Sequence, residues 1–232
     1  MGIYLFGSLT YDDFRVDRSD IDLMTVINRE VTAEETDRIK KLHEQIEEKF
    51  PLLAKRLECS YTPEILLKNL LPPVEPRPYY GVGTFYPNAQ YGNEWIINLY
   101  LLQKHGICVY GPKFSTLTPP IDITEVQKAC VRDLFKEWEP KINDSKWLKN
   151  SHYQSYLVLN LCRILYTVLR SRAGSKTEAA SWVKNQFPQW KELICEADSW
   201  KYGSHMNRLS ETSGFIKFTV KVIKKTNFYL VI

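Results

Sequence analysis

The chain has 232 residues, 44% of them apolar, and a formal net charge of +4. That length and apolar content support a globular core in one large domain or two small ones, and they exclude a chain that stays disordered. No apolar run approaches the ~20 residues that span a bilayer, and the charge is too small and too dispersed for a dense nucleic-acid-binding stripe.

The first half alternates strand-like and helix-like runs. Ile3 to Phe6 is apolar and stops at Gly7-Ser8, which predicts a strand running into a turn or short helix. Ile21 to Ile27 predicts a second strand. Thr32 to Phe50 places Ile39, Leu42, Ile46 and Phe50 at helical spacing, with Thr32 and Glu35 forming a capping box and Pro51 beyond the end. Arg56 to Thr62 alternates as a third strand. Its Leu57, Cys59 and Tyr61 face one way, and Arg56, Glu58 and Ser60 the other. A proline-marked loop (Pro72, Pro73, Pro76, Pro78) leads to a strand over Tyr79 to Tyr86. Glu94 to His105 predicts a helix stopped by Gly106, and Ile107 to Tyr110 a short strand.

The second half reads as helical throughout. Ile123 to Trp138, His152 to Arg170, Ser175 to Phe187, Gln189 to Tyr202 and Met206 to Lys224 carry apolar residues at helical spacing. The stretch from Gly111-Pro112 to Pro119-Pro120 has no such pattern and marks a domain boundary. The expected architecture is an α+β domain with a mixed sheet over 1–112, then an all-α helical bundle over 113–232. The charge divides along the same line. Residues 1–111 hold 12 Lys/Arg and 16 Asp/Glu, and residues 112–232 hold 19 and 11.

Five cysteines, odd in number, widely spaced and without a CxxC, fit reduced thiols. The four histidines show no zinc spacing. Met1 to Ser8 shows no basic segment followed by a long apolar run, so no leader is expected and the location expected is cytoplasmic.

The chemistry concentrates in Leu5-Phe6-Gly7-Ser8 and Ser19-Asp20-Ile21-Asp22-Leu23. Asp20 and Asp22, two apart on a strand, would put both carboxylates on one face with Cα atoms roughly 6.5 Å apart. Like charges so placed call for a bridging cation, and a hard ion with oxygen ligands such as Mg2+ serves. Gly7 permits close backbone approach to a phosphate, and the Ser8 hydroxyl can donate to its oxygens. Should the third strand pair beside the second, Glu58 joins Asp20 and Asp22 as a third carboxylate. It would then ligate the metal or take a proton from an attacking hydroxyl.

This ordered set, an apolar strand into Gly7-Ser8 followed by Asp20-Ile21-Asp22, resembles the signature of the DNA polymerase beta-like nucleotidyltransferase superfamily over about residues 3–62. Gly106 to Pro112, Leu157 to Tyr166 and Ser175 to Trp182 are similar to the bacterial streptomycin/spectinomycin adenylyltransferases, which place an all-helical domain after the catalytic one. The resemblance implies transfer of AMP from ATP to a hydroxyl of an aminoglycoside-type antibiotic. It assigns Ser8 to the triphosphate, Asp20 and Asp22 to Mg2+, Glu58 to the catalytic base, and Arg163 and Lys176 to the ATP phosphates. Residues alone support the last two in part. Arg163 interrupts an apolar helix, where a charge needs a partner or snorkels to solvent. Lys176 stands in the first turn after a Ser175–Glu178 capping box, against the helix dipole. Streptomycin-accepting relatives carry a tryptophan and acidic residues just ahead of this helix; the equivalent stretch here, Trp147 to Gln154, has the tryptophan without clearly matched carboxylates, and since polycationic drugs favour acidic pockets streptomycin is not the expected acceptor. Two other functions compete: a non-catalytic nucleotide- or partner-binding module, and transfer of AMP to a protein hydroxyl.

Overall fold

The computed structural model describes residues 1–231. It divides into two compact units, Met1–Ile121 and Asp122–Ile232. The expected boundary fell at 112/113, but residues 113–121 are tied to the first unit. Tyr4 donates its hydroxyl to the Pro112 carbonyl at 2.8 Å and meets the Phe114 ring edge-on at 5.0 Å. The Gln103 side chain donates to Thr118 and to the Pro119 carbonyl.

The first unit is built on one six-stranded mixed sheet. Its strands are β1 (Gly2–Phe6), β2 (Ile21–Ile27), β3 (Leu57–Pro63), β4 (Arg77–Gly81), β5 (Thr84–Ala89) and β6 (Ile107–Tyr110), ordered β5-β4-β3-β2-β1-β6. Only β2 and β3 run parallel, and helix α1 (Ala33–Lys49) is the crossover between them. The predicted Thr32 capping box forms, with the Thr32 and Glu35 side chains each accepting from the other's backbone N–H. Helix α1 covers the face of Cys59, Tyr61 and Tyr80: its buried His43 stacks on Tyr80 at 4.1 Å and bonds the Tyr61 hydroxyl at 2.8 Å. Helix α2 (Trp95–His105) packs near β1, and buries Trp95, Ile96, Leu99, Leu101 and Leu102.

Tyr79 to Tyr86 is not a single strand but the hairpin β4–β5. Its turn is Val82-Gly83, both with positive φ, as a two-residue type I′ turn requires. A β-branched valine is costly in that conformation, so it hides the turn from a sequence reader.

The second unit is helical. Helix α5 (Ser151–Arg170) is its axis and is buried along most of its length, from Leu157 to Val168. Around it pack α3 (Ile123–Asp133), α6 (Lys176–Gln186), α7 (Lys191–Ser199) and α8 (Leu209–Ile223), with a single turn α4 (Ser145–Leu148) ahead of it. Helix α3 widens into a π-type turn over Leu134–Trp138 and ends near Pro140, which supplies no N–H to continue it. The Ser175–Glu178 capping box forms only in half. Ser175 accepts from the Glu178 N–H, but the Glu178 carboxylate is drawn away to the Tyr166 hydroxyl at 2.7 Å and Arg172 at 3.1 Å. Among the described residues no helix is long and apolar enough to cross a membrane, and all five cysteines are unpaired.

Candidate active site

The site lies where β1 ends and β2 and β3 begin. In the antiparallel pair Phe6 stands opposite Asp22, and in the parallel pair Asp22 stands opposite Glu58. Cross-strand partners share a face, so the two carboxylates project to the same side of the sheet. Both residues are half-buried. Asp20 is placed differently from expectation. The strand starts at Ile21, so Asp20 lies just ahead of it, at the end of the loop from 11 to 20. Arg56 holds that loop. Its guanidinium donates to the Val16 carbonyl at 2.6 Å and twice to the Ser19 carbonyl, and it stands 5.5 Å from the Phe14 ring centre. The Arg56 carbonyl accepts from the Ile21 N–H at 2.8 Å, so one residue fixes both the loop and the strand's first rung.

Gly7 and Ser8 open a four-residue 3-10 turn, Gly7–Thr10, directly after β1. Gly7 is buried with φ +71°. A Cβ there would stand 1.9 Å from Asp22 Oδ2. The glycine is therefore required by the Asp22 carboxylate against it, a nearer constraint than the phosphate approach expected from sequence.

Glu58 has a partner that sequence alone did not reveal. The Tyr79 hydroxyl donates to Glu58 Oε2 at 2.8 Å. Burial, then the neighbouring Glu58 and Asp22 charges, push the Tyr79 phenol far up, so it stays protonated and a donor. Behind it the buried Arg77 guanidinium lies 5.4 Å from the Tyr79 ring centre and 4.0 Å from that of Tyr91, and donates to the Gln90 carbonyl. The only sequence signal for Tyr79 was a tyrosine at a strand start after a proline-rich loop.

Among the described residues no group of three or more His, Cys, Asp and Glu side chains is arranged to hold a metal ion. A Mg2+ site needs no such cage, because this ion takes one or two carboxylates together with substrate phosphates and waters. The donor chemistry suits it: Asp22 and Glu58 offer carboxylate oxygens on one face, and Asp20 is two residues from Asp22.

The two cations assigned to phosphate lie in the second unit. Arg163 is half-buried on α5, near enough to Cys130 of α3 for its charge to offset part of the rise that burial imposes on that thiol. Lys176 opens α6 with Nζ 4.8 Å from the centre of the Tyr156 ring on α5, a cation–π contact. Its charge also adds to burial in lowering the pKa of His152.

Comparison with known proteins agrees with both units. Residues 1–69 match the family described as "Nucleotidyltransferase domain", and residues 116–226 match "Aminoglycoside adenylyltransferase, C-terminal domain". The two matches lie one after the other, a nucleotidyltransferase model on the first unit and an aminoglycoside adenylyltransferase C-terminal model on nearly all of the second. The chain is an enzyme of the nucleotidyltransferase class. It is similar to a spectinomycin 9-adenylyltransferase of Campylobacter jejuni, with 26% identity over 201 residues, 82% of this chain and 72% of that protein. An aminoglycoside (3'') (9) adenylyltransferase of Rhizobium radiobacter is 22% identical over 219 residues, 89% of this chain and 78% of that protein. The fold is shared with the spectinomycin adenyltransferase AAD(9) of Enterococcus faecialis, solved with ATP and spectinomycin. There the TM-score is 0.72 at 19% identity, covering 97% of this chain and 92% of that one. The nucleotidyltransferase domain thus carries Gly7, Ser8, Asp20, Asp22 and Glu58, and the C-terminal domain carries Arg163 and Lys176.

Proposed function

We propose that this nucleotidyltransferase moves AMP from ATP to a hydroxyl of an aminoglycoside-type antibiotic, in a reaction that requires Mg2+. The observation that carries it is the register that sets Asp22 beside Glu58 at the mouth of the Gly7–Ser8 turn. The similarity to spectinomycin and aminoglycoside adenylyltransferases supports ATP as donor and an antibiotic as acceptor.

The step is an in-line displacement. The acceptor oxygen forms a bond to the α-phosphorus as the bond from that phosphorus to the bridging oxygen breaks, and pyrophosphate leaves. Glu58 takes the proton of the acceptor hydroxyl as the new bond forms. Ser8 orients the triphosphate, and Arg163 and Lys176 are the cations assigned to its charge. Asp20 and Asp22 are the residues that would hold Mg2+, with Glu58 at hand as a further oxygen ligand. When bound, the ion neutralises charge building on the α-phosphate and on the leaving pyrophosphate. Without it, two like carboxylates on one face repel each other.

The test is pyrophosphate release from MgATP with spectinomycin, streptomycin, other aminoglycosides and lincosamides offered in turn, with product mass read alongside. The expected result is turnover with at least one drug and a product heavier by one AMP. Turnover with none, together with radiolabel from ATP appearing on lysate proteins, would replace this reading with protein adenylylation. No stabilisation of the protein by any Mg-NTP would replace it with a binding module.

A further inference from the structure

The carboxylate assigned to proton transfer is held by a second side chain whose position the fold has prepared. Tyr79 stands opposite Ser60 on β3, one alternation along from Glu58, so its ring must lean diagonally along the sheet to reach Glu58 Oε2 at 2.8 Å. Gly81, two residues on along the same face of β4, makes that lean possible. A Cβ built there would stand 2.7 Å from Tyr79 Cε1 and 2.8 Å from its hydroxyl oxygen. The Tyr86 ring, opposite Tyr79 on β5, and the Arg77 guanidinium hem the phenol in.

We propose that Tyr79 is a positioning residue for nucleotidyl transfer, an inference that rests on Glu58 being the proton acceptor: the Tyr79 hydroxyl fixes Oε2 and so sets how the Glu58 carboxylate is presented to the acceptor hydroxyl, and Gly81 is the ring's seat. A glutamate's terminal torsion is broad and two-fold, so an unpinned carboxylate spreads its oxygens over many directions. One fixed hydrogen bond narrows that spread at the reacting atom, where misplacement costs rate steeply. A residue that acts through Glu58 changes the chemical step, so its loss should be felt in turnover and not in binding.

Steady-state pyrophosphate release with MgATP and spectinomycin separates these effects. Tyr79→Phe is expected to lower kcat about tenfold or more, the size of a lost hydrogen bond to a charged group. KM for ATP and for spectinomycin should stay within about twofold of wild type, because a residue acting through Glu58 alters the chemical step and not ground-state binding. Gly81→Ala, which keeps the phenol but takes its seat, should lower kcat in the same way. In the Y79F background Gly81→Ala should add nothing further, because the contact it disrupts is already gone. A wild-type kcat in Y79F, a loss carried wholly by KM, or an undiminished effect of Gly81→Ala in that background would each overturn the proposal. Should Y79F fail to fold, as judged by circular dichroism, Gly81→Ala alone decides: a wild-type kcat overturns the proposal. Glu58→Gln separates the two ideas, since a wild-type kcat there removes the proton-acceptor role whatever Tyr79 does.

Discussion

A Cβ on residue 7 would stand 1.9 Å from Oδ2 of Asp22, so the Asp22 carboxylate lies where it does against the first turn because Gly7 has no side chain. Its φ of +71° adds a second constraint, costing an L-residue about 1–2 kcal/mol. Gly7→Ala is therefore expected to lower stability by about 1–3 kcal/mol in urea titration. It should also reduce pyrophosphate release more than tenfold, because the displaced group is the Asp22 carboxylate. A variant with wild-type values for both would show that Asp22 swings clear without consequence.

Asp20→Asn and Asp22→Asn should each keep the fold and lose transfer by about a hundredfold or more, the scale of removing charge stabilisation at the reacting phosphate. Asp22→Asn also removes one of two like charges set side by side on β2 and β3. MgATP should then stabilise wild type and fail to stabilise D22N in a thermal-shift assay.

Arg56 ties Val16 and Ser19 to the edge of β3, and so controls where the loop ahead of Asp20 runs. Arg56→Ala leaves those carbonyls without their donor. Faster protease cleavage within residues 11–20 is expected, along with reduced turnover. Arg56→Lys, which offers a point charge in place of a planar fork, should fall between the two. Unchanged cleavage in R56A would sink the role.

His43 is 2% exposed between Tyr61 and Tyr80, and burial lowers its pKa to about 4, with Glu47 pulling weakly the other way. Its folded value lies below the ordinary unfolded value of about 6.5. In that window the unfolded chain binds the proton and the folded chain does not, so stability is full above about pH 6.5 and falls as the pH drops towards 4. The loss should amount to at most about 3 kcal/mol. Urea midpoints for wild type and His43→Gln across this range check it: the variant's pH dependence should be shallower by this amount.

Much of the first unit was legible because its signals are local. The strand Ile21–Ile27, the capped helix after it and the alternation of Glu58 against Cys59 all follow from side-chain periodicity. What was not legible depends on partners distant in sequence. The spacing of Asp20 and Asp22 says nothing of Arg56, which holds the loop that ends at Asp20. Glu178 has the right spacing for a capping box, but Tyr166 and Arg172 compete for its carboxylate. Tyr79 gains meaning only once β4 is laid beside β3, and Gly81 only once the ring is seen to lie against it.

Parallel strands cannot meet through a short turn, so Asp22 and Glu58 become neighbours only after the chain has made the excursion through α1 and returned. A slip of one rung on that return would send Glu58 to the opposite side of the sheet, among the rings that sandwich His43. With the roles proposed for Asp22 and Glu58, catalytic competence becomes a direct reporter of correct strand registry. A preparation with native helix content but a misthreaded β3 would look folded by spectroscopy and be chemically silent.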